Sequence, residues 1–194
     1  NGYVYGGLEF YWGEPLQDDA EEGVNLIVIG ADDSEINWRT IHDSLYPEPT
    51  ADTIVRIVID TGVEVGAGVS GEFAANTGSW PADMAPIELY VRGYTQGRGG
   101  NGADAETGVG VDGTNALIMN HDLTIKAVTG RIAGGAGGGG NGYSTEEGTS
   151  SAGGGGGAGI PAGLGGAVGP NAMVTVHGFA GTRDAGGGGG VTTF

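Results

Sequence analysis

Glycine is concentrated in the second half of this chain, in dense tracts that few folds can accommodate. Of 45 glycines among 194 residues, 34 follow Arg92, and the densest tracts lie at 134–142, 153–159 and 186–190. Each glycine ordered in a helix or strand costs roughly 0.5–1 kcal/mol relative to alanine, because its backbone loses more freedom. The tracts are therefore either flexible linkers or a structure in which bare backbone is an advantage.

Extended polyproline-II helices of glycine, packed side by side, are such a structure. Because no Cβ keeps the backbones apart, N–H and Cα–H groups of one helix reach carbonyl oxygens of its neighbours. A linker would be one polar stretch, but apolar residues that predict core anchors interrupt these tracts: Ile132, Ile160, Leu164, Val168, Met173, Val174, Val176 and Phe179. This spacing favours the ordered bundle.

The net charge excludes several classes of partner. Seven Lys and Arg against 24 Asp and Glu give −17, so no basic surface is present for nucleic acid or for an anionic membrane. Residues 1–92 carry −14 and residues 93–194 carry −3. We interpret the acidic half as a solvated exterior, with a functional electrostatic patch as the alternative. No apolar run approaches the roughly 18 residues of a membrane span, so membrane insertion is not expected.

Three consecutive segments are predicted from changes in composition. Residues 1–52 are irregular and rich in aromatic side chains, which indicates either a self-packed subdomain or a docking or oligomerisation segment. Residues 53–130 form a region of short strands, and residues 131–194 form the polyglycine sandwich with its loops. Because the chain begins at Asn1, we expect a fragment or a processed product.

Alternating or continuous apolar runs predict the strands, and no segment shows sustained helical periodicity. The predicted strands are Asn25–Ile29, Thr53–Asp60, Ile87–Arg92, Ala116–Asn120, Leu123–Val128 and Ala172–His177. The predicted fold class is therefore all-β and irregular, with short stacked strands and a C-terminal polyglycine-II sandwich of the polyproline-II type.

An internal repeat links these strands. Four strands each lead to a glycine and then to small residues: IDTGVEVG, VRGYTQG, VTGRIAG and VHGFAG, with Gly62, Gly93, Gly130 and Gly178 in corresponding positions. Stacked layers with loops of growing length, as in a solenoid, explain this pattern. Coincidence in a sequence rich in glycine and valine is the alternative.

No residue pattern indicates an enzyme, a metal site or a cofactor. His42, His121 and His177 are expected in turns or strands, since no activated nucleophile accompanies the His121-Asp122 pair. The adjacent carboxylates of Glu146 and Glu147 would diverge rather than flank a glycosidic bond. Asp104, Glu106 and Asp112 offer oxygen ligands for calcium, but their spacing is not that of an EF-hand loop.

The segments NTGSWP (76–81), VRGYTQGRGGNG (91–102) and ALIMNHDLTIKAVTGRIAGGAGGGGNG (116–142) resemble the glycine-rich receptor-binding tips of tailed-bacteriophage tail fibres. The chain is similar to the C-terminal domain of the siphophage central tail fibre or tip attachment protein, and more loosely to the adhesin of T-even long tail fibres. The resemblance covers residues 53–194. It implies a polyglycine sandwich whose loops contact an outer-membrane protein or a surface glycan of the host.

The resemblance also implies site residues and partners. The receptor-binding residues would be Tyr143, Ser144, Thr145, Glu146, Glu147, Thr149, Ile160, Pro161, Leu164, Arg183 and Asp184. The other partner would be the remainder of the tail fibre, with a homotrimer formed through the fibre. The sequence thus predicts a non-enzymatic adhesin at the tip of a virion's tail fibre. An ice-binding or structural glycine-rich protein is the alternative, and a glycan depolymerase is a minor one.

Overall fold

Two compact units make up the chain, and each is assembled from separate stretches of sequence. The computed structural model describes residues 4–5, 8–9, 23–68, 71–104, 108–127, 129–140, 153–167 and 178–189. The two units divide the chain as follows: unit 1 comprises Asn1–Val65, Ala75–Thr95 and Leu117–Ile132, and unit 2 comprises Gly66–Ala74, Gln96–Ala116 and Ala133–Phe194. The chain therefore passes between the two units several times. The division into three consecutive segments stays a prediction.

Short strands dominate the regular structure of the described residues. The elements are β1 (Val4–Tyr5), β2 (Leu8–Glu9), β3 (Val24–Ile29), β4 (Asp33–Ser34), β5 (Ile36–Asn37), α1 (Trp38–Leu45), β6 (Ile54–Ile59), β7 (Glu64–Gly66), β8 (Phe73–Asn76), β9 (Ile87–Val91), β10 (Tyr94–Gln96), β11 (Asn115–Ile118), β12 (Leu123–Ala127) and β13 (Arg131–Ala133). Five predicted strands lie within two residues of their expected bounds. The sixth, Ala172–His177, lies outside the described residues.

The strands from β3 onwards form three sheets, with the orders β3-β6-β9-β12, β4-β7-β10-β13 and β5-β8-β11. The pairs β3–β6, β6–β9, β9–β12 and β5–β8 are parallel. Each turn of the chain adds one strand to successive sheets, which is the connectivity of a β-solenoid. This architecture confirms the predicted all-β fold of short stacked strands.

A column of aliphatic side chains in register forms the core of the first sheet. Ile27 pairs with Ile57, Ile57 with Leu89, and Leu89 with Ile125. The first three are at most 1% exposed, whereas Ile125, on the terminal strand β12, is 48% exposed. Burial of such side chains stabilises each turn by about 1.5–3 kcal/mol per residue.

The repeated glycines lie where a long strand turns into the next sheet. Gly62 adopts φ +79° between β6 and β7, a conformation that disfavours a side chain. At Gly93, between β9 and β10, a Cβ would overlap the carbonyl oxygens of Asp60 and Val63. Gly130 lies at the equivalent turn between β12 and β13, where a Cβ would overlap the Gly93 carbonyl. Three of the four predicted repeat positions therefore share one structural role.

Helix α1 is an element that the sequence did not predict, although the fold is all-β in the main. The Asn37 side chain caps it by accepting a hydrogen bond from the Thr40 N–H at 3.2 Å. Trp38, Ile41 and His42 are its buried residues, at the i, i+3 and i+4 spacing of a helix face. With eight residues, the helix is too short to show sustained periodicity in the sequence.

Seven extended tracts form a hydrogen-bonded bundle in unit 2. We number them in chain order: tract 1 (97–104), tract 2 (108–114), tract 3 (134–140), tract 4 (153–159), tract 5 (161–167), tract 6 (178–182) and tract 7 (185–189). Between tracts 1 and 3 the N–H groups of Gly97, Gly100 and Ala103 donate to the carbonyls of residues 133, 136 and 139 at 2.8–3.0 Å. This three-residue step is the period of a polyproline-II helix and confirms the predicted polyglycine-II packing.

Tract 4 is the centre of the bundle, with backbone hydrogen bonds to tracts 1, 3, 5, 6 and 7. Its glycines are buried, and a Cβ at Gly155 or Gly157 would overlap a carbonyl oxygen of a neighbouring tract. Each backbone hydrogen bond contributes a net stabilisation of about 0.5–1.5 kcal/mol, which offsets the entropy that each glycine loses. Bare backbone is thus a requirement of the central tract.

Candidate functional site

The directions of the tracts give the glycine bundle two ends. Tracts 1, 3, 5 and 7 run one way and tracts 2, 4 and 6 run the other way, as the order of hydrogen-bonded partners shows. The first end contains Gly97 and Thr114, where tract 1 begins and tract 2 stops. The second end contains the opposite termini of the tracts: Asp104, Gly108, Gly140, Gly153, Ala167, Gly178 and Gly189.

The predicted residues Ile160 and Pro161 lie at the first end, where tract 4 turns into tract 5. The Ile160 N–H donates to the Gly97 carbonyl at 3.0 Å, and its own carbonyl accepts from the Ala67 N–H at 2.9 Å. The side chain packs on Gly66 so closely that a Cβ there would lie 2.6 Å from Ile160 Cγ2. These contacts hold the turn inside unit 2.

Arg183 and Asp184 also lie at the first end, in the turn between tracts 6 and 7. Thr182 closes this turn by donating its N–H to the Ala185 carbonyl at 2.7 Å. The Gln96 amide donates to the Arg183 carbonyl at 3.0 Å, and Arg183 Nε lies 3.1 Å from Asp184 Oδ2. The turn is therefore fixed by its own polar groups and by the side chain of Gln96.

Leu164 lies within tract 5, not in a loop as predicted. Its N–H donates to the Asn101 side chain at 2.9 Å, and its carbonyl accepts from the Gly102 N–H at 2.8 Å. Its side chain is 66% exposed on the side of the bundle. Pro161 and Ala167 stand three residues away on either side, so every third position of this tract carries a side chain outward.

The remaining predicted site residues, Tyr143, Ser144, Thr145, Glu146, Glu147 and Thr149, lie outside the described residues. Gly140 and Gly153 flank them in the sequence, and both belong to the second end of the bundle. Ile160, Pro161, Arg183 and Asp184 belong to the first end. Of the predicted set, the structure therefore describes only these four residues at the first end and Leu164 within tract 5.

The sequence around the tract termini of the second end contains acidic residues but no Lys or Arg. Asp104 is exposed there. The segments that join the tracts at this end, 105–107, 141–152 and 168–177, contain Glu106, Glu146 and Glu147 but no Lys or Arg. Dense negative charge on a partner would be repelled by this composition.

The first sheet of unit 1 carries a charged ladder on the face opposite the column of Ile57 and Leu89. Arg56 NH2 lies 2.8 Å and Lys126 Nζ 3.2 Å from the Glu88 carboxylate, and Lys126 also contacts the Tyr90 hydroxyl at 3.2 Å. Partial burial raises the pKa of Glu88, but the hydrogen bonds from Arg56 and Lys126 outweigh it and leave the pKa below its ordinary value. The ladder is a structural feature, because each charge is satisfied by its neighbours.

Each of the two described histidines has a hydrogen-bonding partner. His42 is buried on α1 rather than in a turn or strand, with Asn25 Nδ2 2.9 Å from Nε2 and Asp43 Oδ1 3.1 Å from Nδ1. His121 Nε2 contacts the Ala85 carbonyl at 3.2 Å, whereas His177 lies outside the described residues. In the part of the chain that the structure describes, no three His, Asp or Glu side chains are grouped to hold a metal ion.

Sequence reasoning missed two exposed apolar side chains beside the second end. Val109 follows Gly108 on tract 2 and is 74% exposed, and Phe179 follows Gly178 on tract 6 and is 63% exposed. The sequence predicts Phe179 as a core anchor because it interrupts the glycine tracts, and its exposure shows that this prediction is wrong. The three-residue period of the tracts would have shown that some positions in them must face solvent.

Comparisons with known proteins were made for the whole chain. A model of the family described as phage tail fibre adhesin Gp38 matches residues 25–193. No curated protein matches the sequence. A crystal structure of the gp37–gp38 adhesin tip complex of the bacteriophage S16 long tail fibre is similar at 24% identity and a TM-score of 0.49. The match covers 87% of this chain and 62% of that chain, so this chain spans less than two thirds of the length of the S16 structure.

No helix in the described residues is long and apolar enough to cross a membrane.

Proposed function

The chain belongs to the phage tail fibre adhesin family Gp38, and on this premise we propose that it attaches the tip of a tail fibre to its bacterial host through the second end of the glycine bundle. Membership of this family confirms the resemblance to tail fibre adhesins and makes the chain a virion protein of the tail fibre. The contact with the host is one of binding, without a chemical step.

We choose the second end because of the connections that join the tracts there. At the first end, tract 4 joins tract 5 through Ile160 alone, and tract 6 joins tract 7 through Arg183 and Asp184. The third connection at the first end, residues 115–133 between tracts 2 and 3, contains strands β11, β12 and β13 of the sheets. At the second end, three segments of 3, 12 and 10 residues (105–107, 141–152 and 168–177) join tracts whose termini are hydrogen-bonded to one another. Long connections on a rigid scaffold support variable recognition, because their sequence can change without loss of core contacts.

The segment 141–152 is our proposed centre of the receptor contact. Tyr143 would supply an aromatic group with a polar tip, Glu146 and Glu147 would select the charge of the partner, and Ser144, Thr145 and Thr149 would supply adaptable hydrogen bonds. Ile160, Pro161, Leu164, Arg183 and Asp184 are not included, because their positions separate them from this end. The receptor would be an outer-membrane protein or a surface glycan.

Association with the remainder of the tail fibre is the second part of the proposal. It rests on the family, since an adhesin of a tail fibre must be held by that fibre in order to act. The similar structure from bacteriophage S16 is described as a gp37–gp38 complex, which is a statement about that protein. The homotrimer stays a prediction.

Replacement of residues 143–151 by a Gly-Ser segment of equal length tests the proposed site. We expect adsorption of the purified protein to host cells to be abolished while the melting temperature stays unchanged, because tracts 3 and 4 keep their hydrogen bonds. The matched control replaces Arg183 and Asp184 by serine at the first end and should adsorb normally. Normal adsorption of the 143–151 variant would remove that segment from the site.

A further inference from the structure

Two of the most exposed apolar side chains in the described part of unit 2 lie at the same end of the bundle. Val109 and Phe179 are 74% and 63% exposed, and each stands one residue inside a tract terminus of the second end. Full exposure of a large apolar side chain forgoes about 1.5–3 kcal/mol of stabilisation relative to burial. Leu164 is exposed to a similar extent on the side of the bundle, but only Val109 and Phe179 of these three are accessible to a partner that binds at the second end.

The backbone around Phe179 is held firmly. Its N–H donates to the Gly188 carbonyl at 2.9 Å, and its carbonyl accepts from the Gly156 N–H at 2.9 Å. The side chain thus projects from a backbone bonded on both sides to other tracts, the second of which is the buried tract 4. An aromatic group held in this way loses little conformational entropy on contact with a partner.

Val109 occupies a comparable position on the other side of the same end. The preceding residue, Gly108, has its N–H directed at the Asp104 carbonyl, with 3.4 Å between nitrogen and oxygen. Val111, two residues further along tract 2, donates its N–H to a carbonyl of tract 1. Tracts 1 and 5 separate tract 2 from tract 6, because the hydrogen bonds run from tract 2 to tract 1, then to tract 5 and then to tract 6. The two apolar groups therefore flank the tract termini of the second end.

We infer that Phe179 and Val109 are apolar receptor contacts on the scaffold itself, outside the long connections, and this rests on the proposed function. The acids at this end indicate the chemistry of the partner, which would present apolar groups without dense negative charge. Aromatic and aliphatic groups surrounded by polar rims supply most of the binding energy in such contacts. Phe179 would be the stronger of the two because its ring is larger.

Alanine variants of the full chain test this inference, with adsorption to bacteria that bind the wild-type protein as the readout. We expect Phe179→Ala to weaken adsorption at least tenfold and Val109→Ala about threefold to tenfold, with unchanged melting temperatures. Val111→Ala is the matched control. Val111 is 51% exposed but lies nearer the middle of tract 2, one residue beyond Gly110, so this variant should adsorb normally. Phe179→Trp keeps an exposed aromatic ring and should retain adsorption.

The outcomes separate this inference from the proposed function. If the 143–151 replacement abolishes adsorption while Phe179→Ala and Val109→Ala adsorb like the wild type, the scaffold contacts are refuted and the proposed site stands. If neither the replacement nor the alanine variants change adsorption, both ideas fail. If Leu164→Ala weakens adsorption and Phe179→Ala does not, the contact lies on the side of the bundle and the inference is overturned. If Phe179→Trp loses as much adsorption as Phe179→Ala at an unchanged melting temperature, an aromatic contact is likewise refuted.

Discussion

Single residues in the glycine bundle differ in how much space surrounds them, although their sequence context looks the same. A Cβ at Gly155 would overlap the Gly187 carbonyl, whereas a Cβ at Gly137 meets nothing nearer than 3.8 Å. Gly155 lies in the central tract 4 and Gly137 in tract 3, whose neighbours cover only part of it. The requirement for glycine is therefore set by position in the bundle and not by the tract alone.

Alanine substitutions at these two positions should differ sharply. We expect Gly155→Ala to lower the free energy of unfolding by about 3 kcal/mol or more, because neighbouring backbones must separate and lose hydrogen bonds. Gly137→Ala should stay within about 1 kcal/mol of the wild type and could be stabilising, since alanine reduces the entropy of the unfolded chain. Urea denaturation followed by circular dichroism measures both. Equal effects of the two substitutions would contradict the central placement of tract 4.

Position in the bundle also explains why some proposed site residues could be recognised in the sequence and why others could not be placed. Tyr143 to Thr149 could be proposed because polar and aromatic residues interrupt glycine there. Leu164 could not be placed, since the sequence does not show that outward positions recur every third residue along tract 5. Arg183 resembled a recognition residue, but its turn is held by Gln96, which lies far away in the sequence.

At the scale of elements, the repeat was the most reliable signal. Gly62, Gly93 and Gly130 lie at equivalent turns of the solenoid, where each long strand must bend. A side chain is disfavoured by the positive φ at Gly62 and by overlap with carbonyl oxygens at Gly93 and Gly130. Gly178 differs, since it begins tract 6 and donates its N–H to the Gly166 carbonyl. Strands of two or three residues, such as β4 and β5, carry no detectable alternation and were missed, as was α1.

The column of the first sheet predicts how its strands respond to truncation. Leu89→Ala should lower the free energy of unfolding by about 2–5 kcal/mol, because the cavity forms between Ile57 and Ile125 in the interior of the sheet. Ile125→Ala should cost less than about 1.5 kcal/mol, since this side chain is 48% exposed on the terminal strand β12. Thermal unfolding of the two variants checks the order. A larger loss for Ile125→Ala would mean that β12 is not the end of the sheet.

For the molecule as a whole, the two units are stabilised by different interactions. Unit 1 buries aliphatic columns such as Ile57 and Leu89, and the described part of unit 2 buries glycine backbone. The charge follows a related division of the sequence, with −14 on residues 1–92 and −3 on residues 93–194. A scaffold held by backbone hydrogen bonds does not depend on side chains at its ends, and this independence is what the proposed adhesin function requires.

Amide hydrogen exchange of tract 4 tests the central claim most directly, because every part of the functional proposal depends on an ordered glycine bundle. The N–H groups of Gly154, Gly156, Gly157 and Gly159 donate to carbonyls of residues 103, 179, 100 and 182. Buried donors with such partners exchange only through opening of the structure. We therefore predict exchange at least about a thousandfold slower than in an unfolded peptide, which corresponds to an opening free energy of about 4 kcal/mol. Exchange of these four amides at the rate of an unfolded peptide would contradict the bundle and the adhesin site built on it.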